Sequence, residues 1–219
     1  MSHTRSVRVA VVTGQHAYDV PRFQALLRSL PGVDAYPQHM EDFAASAGAV
    51  RSWYDAVLFY HFHQVTPSAE QGGAGKAMAE ALAQLGQGEQ GIVVLHHALL
   101  AFRDWPLWSE IVGISERGFG YHVNQTVRTE IAAADHPIAA GLEPWEMVDE
   151  TYTMSDAGAG NDVLLTTEHP QSMRTLAWAR RHARARVFCY ASGHDDQTYA
   201  NPSFRTILAR GILWAAGSI

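Results

Sequence analysis

Apolar positions follow two different periods along the first half of the chain. Val7 to Thr13 (VRVAVVT) is a nearly continuous β-branched run ending at Gly14, the pattern of a strand buried on both faces. After Pro21 the spacing changes. Phe23, Leu26, Leu27 and Leu30 share one helical face, and Pro31-Gly32 ends the helix. Gly32 to Tyr36 reads as a short second strand and Tyr54 to Tyr60 (YDAVLFY) as a third, buried one. Pro67 to Leu85 predicts an Ala-rich helix opened by Thr66-Pro67. Gly91 to Leu95 (GIVVL) is a fourth strand. This alternation argues for an α/β domain with a doubly wound, mostly parallel sheet and helices on both faces.

The second half is less regular. Tyr121 to Ala132 alternates like an exposed or edge strand, and Asp135-His136-Pro137 is a turn. Trp145 to Met154 carries the acidic pair Asp149-Glu150. Asp162 to Thr167 and Arg186 to Tyr190 read as further buried strands. Asn201-Pro202 opens a C-terminal helix with Phe204, Leu208, Ile212 and Leu213 on its apolar face. No Pro/Ser/Gly-rich linker divides the 219 residues, so one domain spanning 1–219 is expected, long enough for a sizeable core.

Composition narrows the function. With 47% hydrophobic and 17% charged residues the chain is globular in type, and its net charge of −6 argues against nucleic-acid binding. No run reaches the roughly 18 apolar residues of a membrane span. The N-terminus lacks a small-residue cleavage site, so a cytoplasmic location is expected. The single cysteine, Cys189, excludes an intrachain disulfide framework and reads as an inert buried thiol. Histidine, by contrast, occurs twelve times.

The histidines can be tested against the rule that open α/β sheets bind ligands outside the carboxyl ends of their strands. His16 follows the first strand, His61 and His63 the third, His96 and His97 the fourth, and His194 the RVFCY strand. His3, His39, His122, His136, His169 and His182 read as surface, loop or turn residues. Neutral imidazoles beside a carboxylate suit a divalent metal such as zinc, with His16, His61, His96 and His194 as candidate ligands. They suit acid–base work near neutral pH equally well. Asp149, Glu150, Asp195 and Asp196 are the candidate carboxylates; the ordinary alternatives are a solvated loop for the first pair and a helix cap for the second. The chain has neither HExxH nor GxSxG, and the turn after the fourth strand, LHHAL, offers no Cys or Ser nucleophile. Gly72 to Lys76 lacks Walker spacing and reads as a loop or helix irregularity. Trp105, Trp108, Trp145, Tyr152 and Trp178 could face a sugar, although core packing is the commoner role for any one of them.

These segments in order are VVTGQHAYD, YDAVLFY, GIVVLHHA, Trp108 with Gly113, DHPIAAGL, DETY, Ala177-Trp178, RVFCYASGH and GILWAAG. Together, over nearly the whole chain, they resemble the trehalose-utilisation (ThuA-like) family of the class I glutamine amidotransferase-like superfamily. The resemblance implies a flavodoxin-like fold without the glutaminase nucleophile, and a role in disaccharide or keto-sugar metabolism. It carries Gly-x-His onto Gly14 to His16, the family histidine onto His96, Asp-Glu-x-Tyr onto Asp149, Glu150 and Tyr152, and Gly-His onto Gly193-His194. It implies a catalytic set of His16, His96, Glu150 and His194, with Trp108, Asp149 and Tyr152 as substrate-binding residues, to which the strand-end pattern adds His97 as a candidate. The chain departs from the family at Ala183 to Arg186, where Gly-x-Gly-Arg is usual, and at His97, where a small residue is usual. His61 and His63 are not family features. The expected ligand is a small carbohydrate, acted on by a hydrolase or lyase; no nucleic acid or membrane is expected, no cofactor is certain, and a homo-oligomer is left open. The competing readings are a non-catalytic binding or regulatory module and a metal-dependent hydrolase with histidine ligands.

Overall fold

The computed structural model describes residues 5–219; His3 lies outside them. Along the chain run β1 (Val7–Gly14), α1 (Val20–Ser29), β2 (Val33–His39), α2 (Met40–Ala45), α3 (Gly48–Arg51) and β3 (Ala56–His61). There follow α4 (Gly73–Leu82), β4 (Gly91–Leu95), α5 (Pro106–Val112), β5 (Gly120–Ile131), β6 (Trp145–Thr153) and β7 (Asp162–Thr166). The last elements are β8 (Thr175–His182), β9 (Ala185–Tyr190), α6 (Asp196–Ala200) and α7 (Pro202–Ala215). All nine strands join one sheet in the order β2-β1-β3-β4-β9-β8-β7-β5-β6.

Continuous apolar strands are buried on both faces because successive side chains point to opposite sides. Val9 and Val11 of β1 join one core with Phe23 and Leu26 of α1 and Phe204, Leu208 and Ile212 of α7. Ala10 and Val12 join the other, with Met40 and Phe43 of α2, Leu82 of α4 and Trp108 and Ile111 of α5. The α/β expectation therefore holds.

The sheet, however, is mixed rather than mostly parallel. β2-β1-β3-β4-β9 pair in parallel, whereas β9-β8-β7-β5-β6 pair antiparallel. The switch comes at β8–β9, which are joined by the short turn Ala183-Arg184 rather than by a crossover helix. Ala183 takes a left-handed conformation there, φ +48°. The expected helix Pro67–Leu85 is also shorter. A 3₁₀ turn, Ala69–Gln71, precedes it, and Gly72 and Gly73, both at positive φ, break the run where α4 begins.

Candidate functional site

β4 ends at Leu95, and the chain turns at once into a 3₁₀ segment, His96–Leu100. His96 is fully buried with φ +53°. A non-glycine residue held there costs about 1–3 kcal/mol, so the surroundings must enforce it. The buried Arg117 braces the segment that follows, donating to the carbonyls of Leu99, Ala101, Phe102 and Arg103 and to Ser109 Oγ. Burial lowers its pKa to about 10, which still leaves it charged near neutrality.

His96 Nδ1 lies 2.8 Å from the carbonyl of Ala191. That contact assigns the proton to Nδ1 and the lone pair to Nε2. Nε2 faces Glu150 Oε2 at 3.3 Å and His194 Nδ1 at 3.4 Å, and Glu150 Oε2 lies 3.5 Å from His194 Nδ1. Tyr152 Oη completes the group, 2.8 Å from His96 Nε2.

Strand alternation explains how β6 supplies two of these groups. Glu150 and Tyr152 are two residues apart and share the face toward His96. Asp149 points the other way and is only 3% exposed. Its carboxylate accepts from the backbone N–H of Gly193 and of His194, both at 3.1 Å, and from Thr198 Oγ1 at 2.8 Å. Tyr60 Oη donates to the carbonyl of Gly193 at 2.9 Å. Asp149 therefore fixes the loop that carries His194; it belongs neither to a solvated loop nor to a ligand surface.

Electrostatics separate the groups further. Burial alone would raise the pKa of Glu150, but its contacts with His96, His194 and Tyr152 outweigh it and hold the carboxyl below its usual range. Burial pushes the Tyr152 hydroxyl well above its usual pKa, and the Glu150 charge adds to that. His16 stacks on His97 with centroids 4.1 Å apart, and His97 meets His96 edge to face at 5.3 Å. Burial lowers the pKa of His16 and, more strongly, of His97.

The sequence-predicted set thus divides. His96, Glu150, His194 and Tyr152 converge, Asp149 braces them, and His16 and His97 lie alongside. His61 does not join. It is wholly buried against Phe59, Phe102 and Trp108, with its Nδ1 toward His63. Trp108 cannot offer a face to a sugar, because it has no exposed surface; it fills the core beneath the His96 turn and donates Nε1–H to Ala98 O. Cys189 is buried, with its thiol toward Val112 O and its pKa pushed up by desolvation. Asp195 caps α6. Sequence reasoning missed Arg117, Tyr60 and Thr198, whose partners are mostly distant in the chain. His39, read as a surface residue, is exposed at the end of β2, where it contacts Glu41.

Residues 9–215 match the family model ThuA, described as trehalose utilisation. The chain belongs to the ThuA family. A ThuA-like protein from Parabacteroides merdae has a similar structure: TM-score 0.77 and 20% identity, over 97% of this chain and 90% of that one. A cytoplasmic protein from Salmonella typhimurium LT2 matches with TM-score 0.67 and 11% identity over 94% and 99%. A glutamine amidotransferase from Thermotoga maritima matches with TM-score 0.55 and 9% identity over 94% and 83%. Identities this low show the fold alone, which is amidotransferase-like. None of the curated proteins searched matches the sequence. The turn after β4, a position where related folds place a nucleophile, holds His96 in this ThuA family member. Membership of the ThuA family points to a carbohydrate-related role.

Proposed function

We propose that this protein is a divalent-metal-dependent enzyme acting on a carbohydrate, a glycoside or keto-sugar, at His96, Glu150 and His194. The observation that carries the reading is the triangle of ligand atoms, whose edges are 3.3, 3.4 and 3.5 Å. Two zinc bonds of about 2.0–2.1 Å at a tetrahedral angle separate their ligand atoms by about 3.3 Å. Two imidazoles and one carboxylate leave a fourth position open, as catalytic zinc sites do. Such an ion polarises a carbonyl or lowers the pKa of a bound water.

The chain's own residues have defined parts. Ala191 O holds His96 with its Nε2 lone pair inward, as carbonyls commonly do behind metal-binding histidines. Glu150 stays ionised, and Asp149 sets the position of His194. Tyr152 keeps its proton and can donate it to a substrate oxygen. His16, half-buried and kept neutral, is placed to accept a proton at the mouth. Phe62 and Phe119, half-buried beside His16 and Tyr152, replace Trp108 as the aromatic faces for a sugar ring. A cytoplasmic location belongs to the same proposal, in line with the description of the Salmonella neighbour. No helix among the described residues is long and apolar enough to cross a membrane.

The test is metal analysis of tag-free protein alongside turnover of glycosides and 3-keto-glycosides. E150Q and H194A should each lose one ion per chain and at least about 100-fold in turnover. Unchanged metal content in both variants would overturn the metal reading. Unchanged turnover in both would overturn the site.

A further inference from the structure

A second group of imidazoles lies at the other end of the same rim. β2, β1 and β3 end side by side, with Thr13 opposite His39 and Gly14 opposite His61. His63 follows two residues on, and Glu41 lies in the first turn of α2. His39 and His63 close over Gly14: a Cβ there would stand 2.8 Å from His39 Nε2 and 2.8 Å from His63 Cε1. Gly14 adopts φ +143°, which L side chains rarely take. The Glu41 carboxylate spans the pair. Its Oε2 contacts His39 Nδ1, and its Oε1 lies 3.8 Å from His63 Nε2.

Hydrogen bonding assigns the tautomers. The backbone N–H of His63 donates to His61 Nδ1 at 3.4 Å, so that nitrogen is an acceptor. His63 Nδ1, 3.3 Å from the same atom, must then carry the proton. His63 Nε2 is left with its lone pair. The residue is 7% exposed, and this nitrogen has no hydrogen-bond partner among the described residues. Across 3.8 Å it faces a carboxylate oxygen, which is also an acceptor. Two acceptors aimed at one gap call for a positive centre between them.

We infer that His63 Nε2, the Glu41 carboxylate and a ring nitrogen of His39 form a second binding site for a first-row divalent cation of the zinc class. Two imidazoles and a carboxylate are the donors such ions prefer, and three protein ligands leave a position open to solvent. His63 is the fixed, buried ligand. The side chains of His39 and Glu41 are 47% and 38% exposed, and His39 has to swing toward His63 to close the set, because among the described residues only His96, Glu150 and His194 already have ligand atoms within 4.8 Å of one another. The site draws on none of the residues of the His96 triangle, so it stands or falls separately.

Cobalt(II) and zinc titrations of metal-stripped, tag-free protein test it. In H96A/H194A protein, which lacks the first site, one cobalt per chain should bind and give visible d–d absorption. E41Q and H39A in that background should each weaken binding by at least about 100-fold. If the H96A/H194A protein does not fold, E41Q and H39A are made in the wild-type chain, where each should remove one ion per chain and leave the other. The inference is overturned if folded H96A/H194A protein binds no cobalt. It is also overturned if E41Q and H39A bind as tightly and with the same stoichiometry as their parent.

Discussion

The parallel and antiparallel halves of the sheet bring opposite chemistry to the site. Parallel strands all end on one rim, and the ends of β4 and β9 lead to His96 and His194. The antiparallel half supplies the acid and the hydroxyl, Glu150 and Tyr152, from the body of β6. β6 is the edge strand, four places beyond β9 in the sheet, yet Glu150 reaches His96. The β5–β6 ribbon therefore turns back over the rim. Its bulge between His122 and Gln125, with Asn124 at φ +56°, is where the register shifts. Bases placed by strand ends are set by local turns, whereas an acid brought by a folded-back ribbon depends on whatever pins the ribbon down.

Asp149 is that pin, and removing it should have the largest effect. Its carboxylate ties β6 to two backbone amides and to Thr198. A hydrogen bond to a charged group contributes about 1.5–3 kcal/mol, and its loss leaves buried donors unpaired. D149A should lose at least about 3 kcal/mol in urea unfolding, and turnover should fall with it because His194 is no longer held. D149N keeps the shape and should lose less. If D149A costs no more than H194A, the ribbon is anchored elsewhere and the contrast between the halves fails.

The same contrast governs what could be read from the sequence. β1, β3 and β4 were legible because strands buried on both faces are continuous apolar runs, and their ends follow at once. β8 escaped notice: TLAWARRH does not alternate and closes on two arginines and a histidine. Asp149 and Glu150 stood out by charge, but a solvated loop fitted them equally well until their partners across the fold were visible. Trp108 was misjudged because one sequence does not say which layer of side chains faces the rim. His39 closes a strand of mixed burial, VDAYPQH, and is the surface residue the sequence suggests; only its contact with Glu41 needed the fold to be seen.

The halves should also separate by pH in metal-free protein. Burial lowers the pKa of His61, His63 and His97, all from the parallel half. A histidine with a depressed folded pKa contributes stability that is full above its unfolded value, about 6.5, and is lost as pH falls through the folded value. Each contributes roughly 1.4 kcal/mol per pH unit inside its window. Glu150 is depressed too, so its contribution is full above about 4.3 and is lost as pH falls through its lowered value. Acid should therefore weaken the parallel half first. Both ring nitrogens of His97 lack a partner among the described residues, so H97F removes the titration without breaking a side-chain hydrogen bond and keeps an aromatic ring against His16. Urea midpoints at pH 7 and pH 5 should show H97F losing up to about 2 kcal/mol less than wild type. An equal loss would mean that His97 takes no part in the acid transition.

The smallest effect is expected where the two halves join. Ala183 turns β8 into β9 at φ +48°, in a stretch where the ThuA family usually carries glycines. An L-residue in that region costs about 1–2 kcal/mol, while glycine adds about 0.5–1 kcal/mol of unfolded-state entropy. A183G should thus stabilise the protein by about 0.5–1 kcal/mol, with metal content and turnover unchanged. The variant touches neither half's contribution to the site. A fall in turnover without a fall in stability would show that the hairpin's geometry is transmitted to His194 through β9, and the halves would then be coupled at their seam as well as through Asp149.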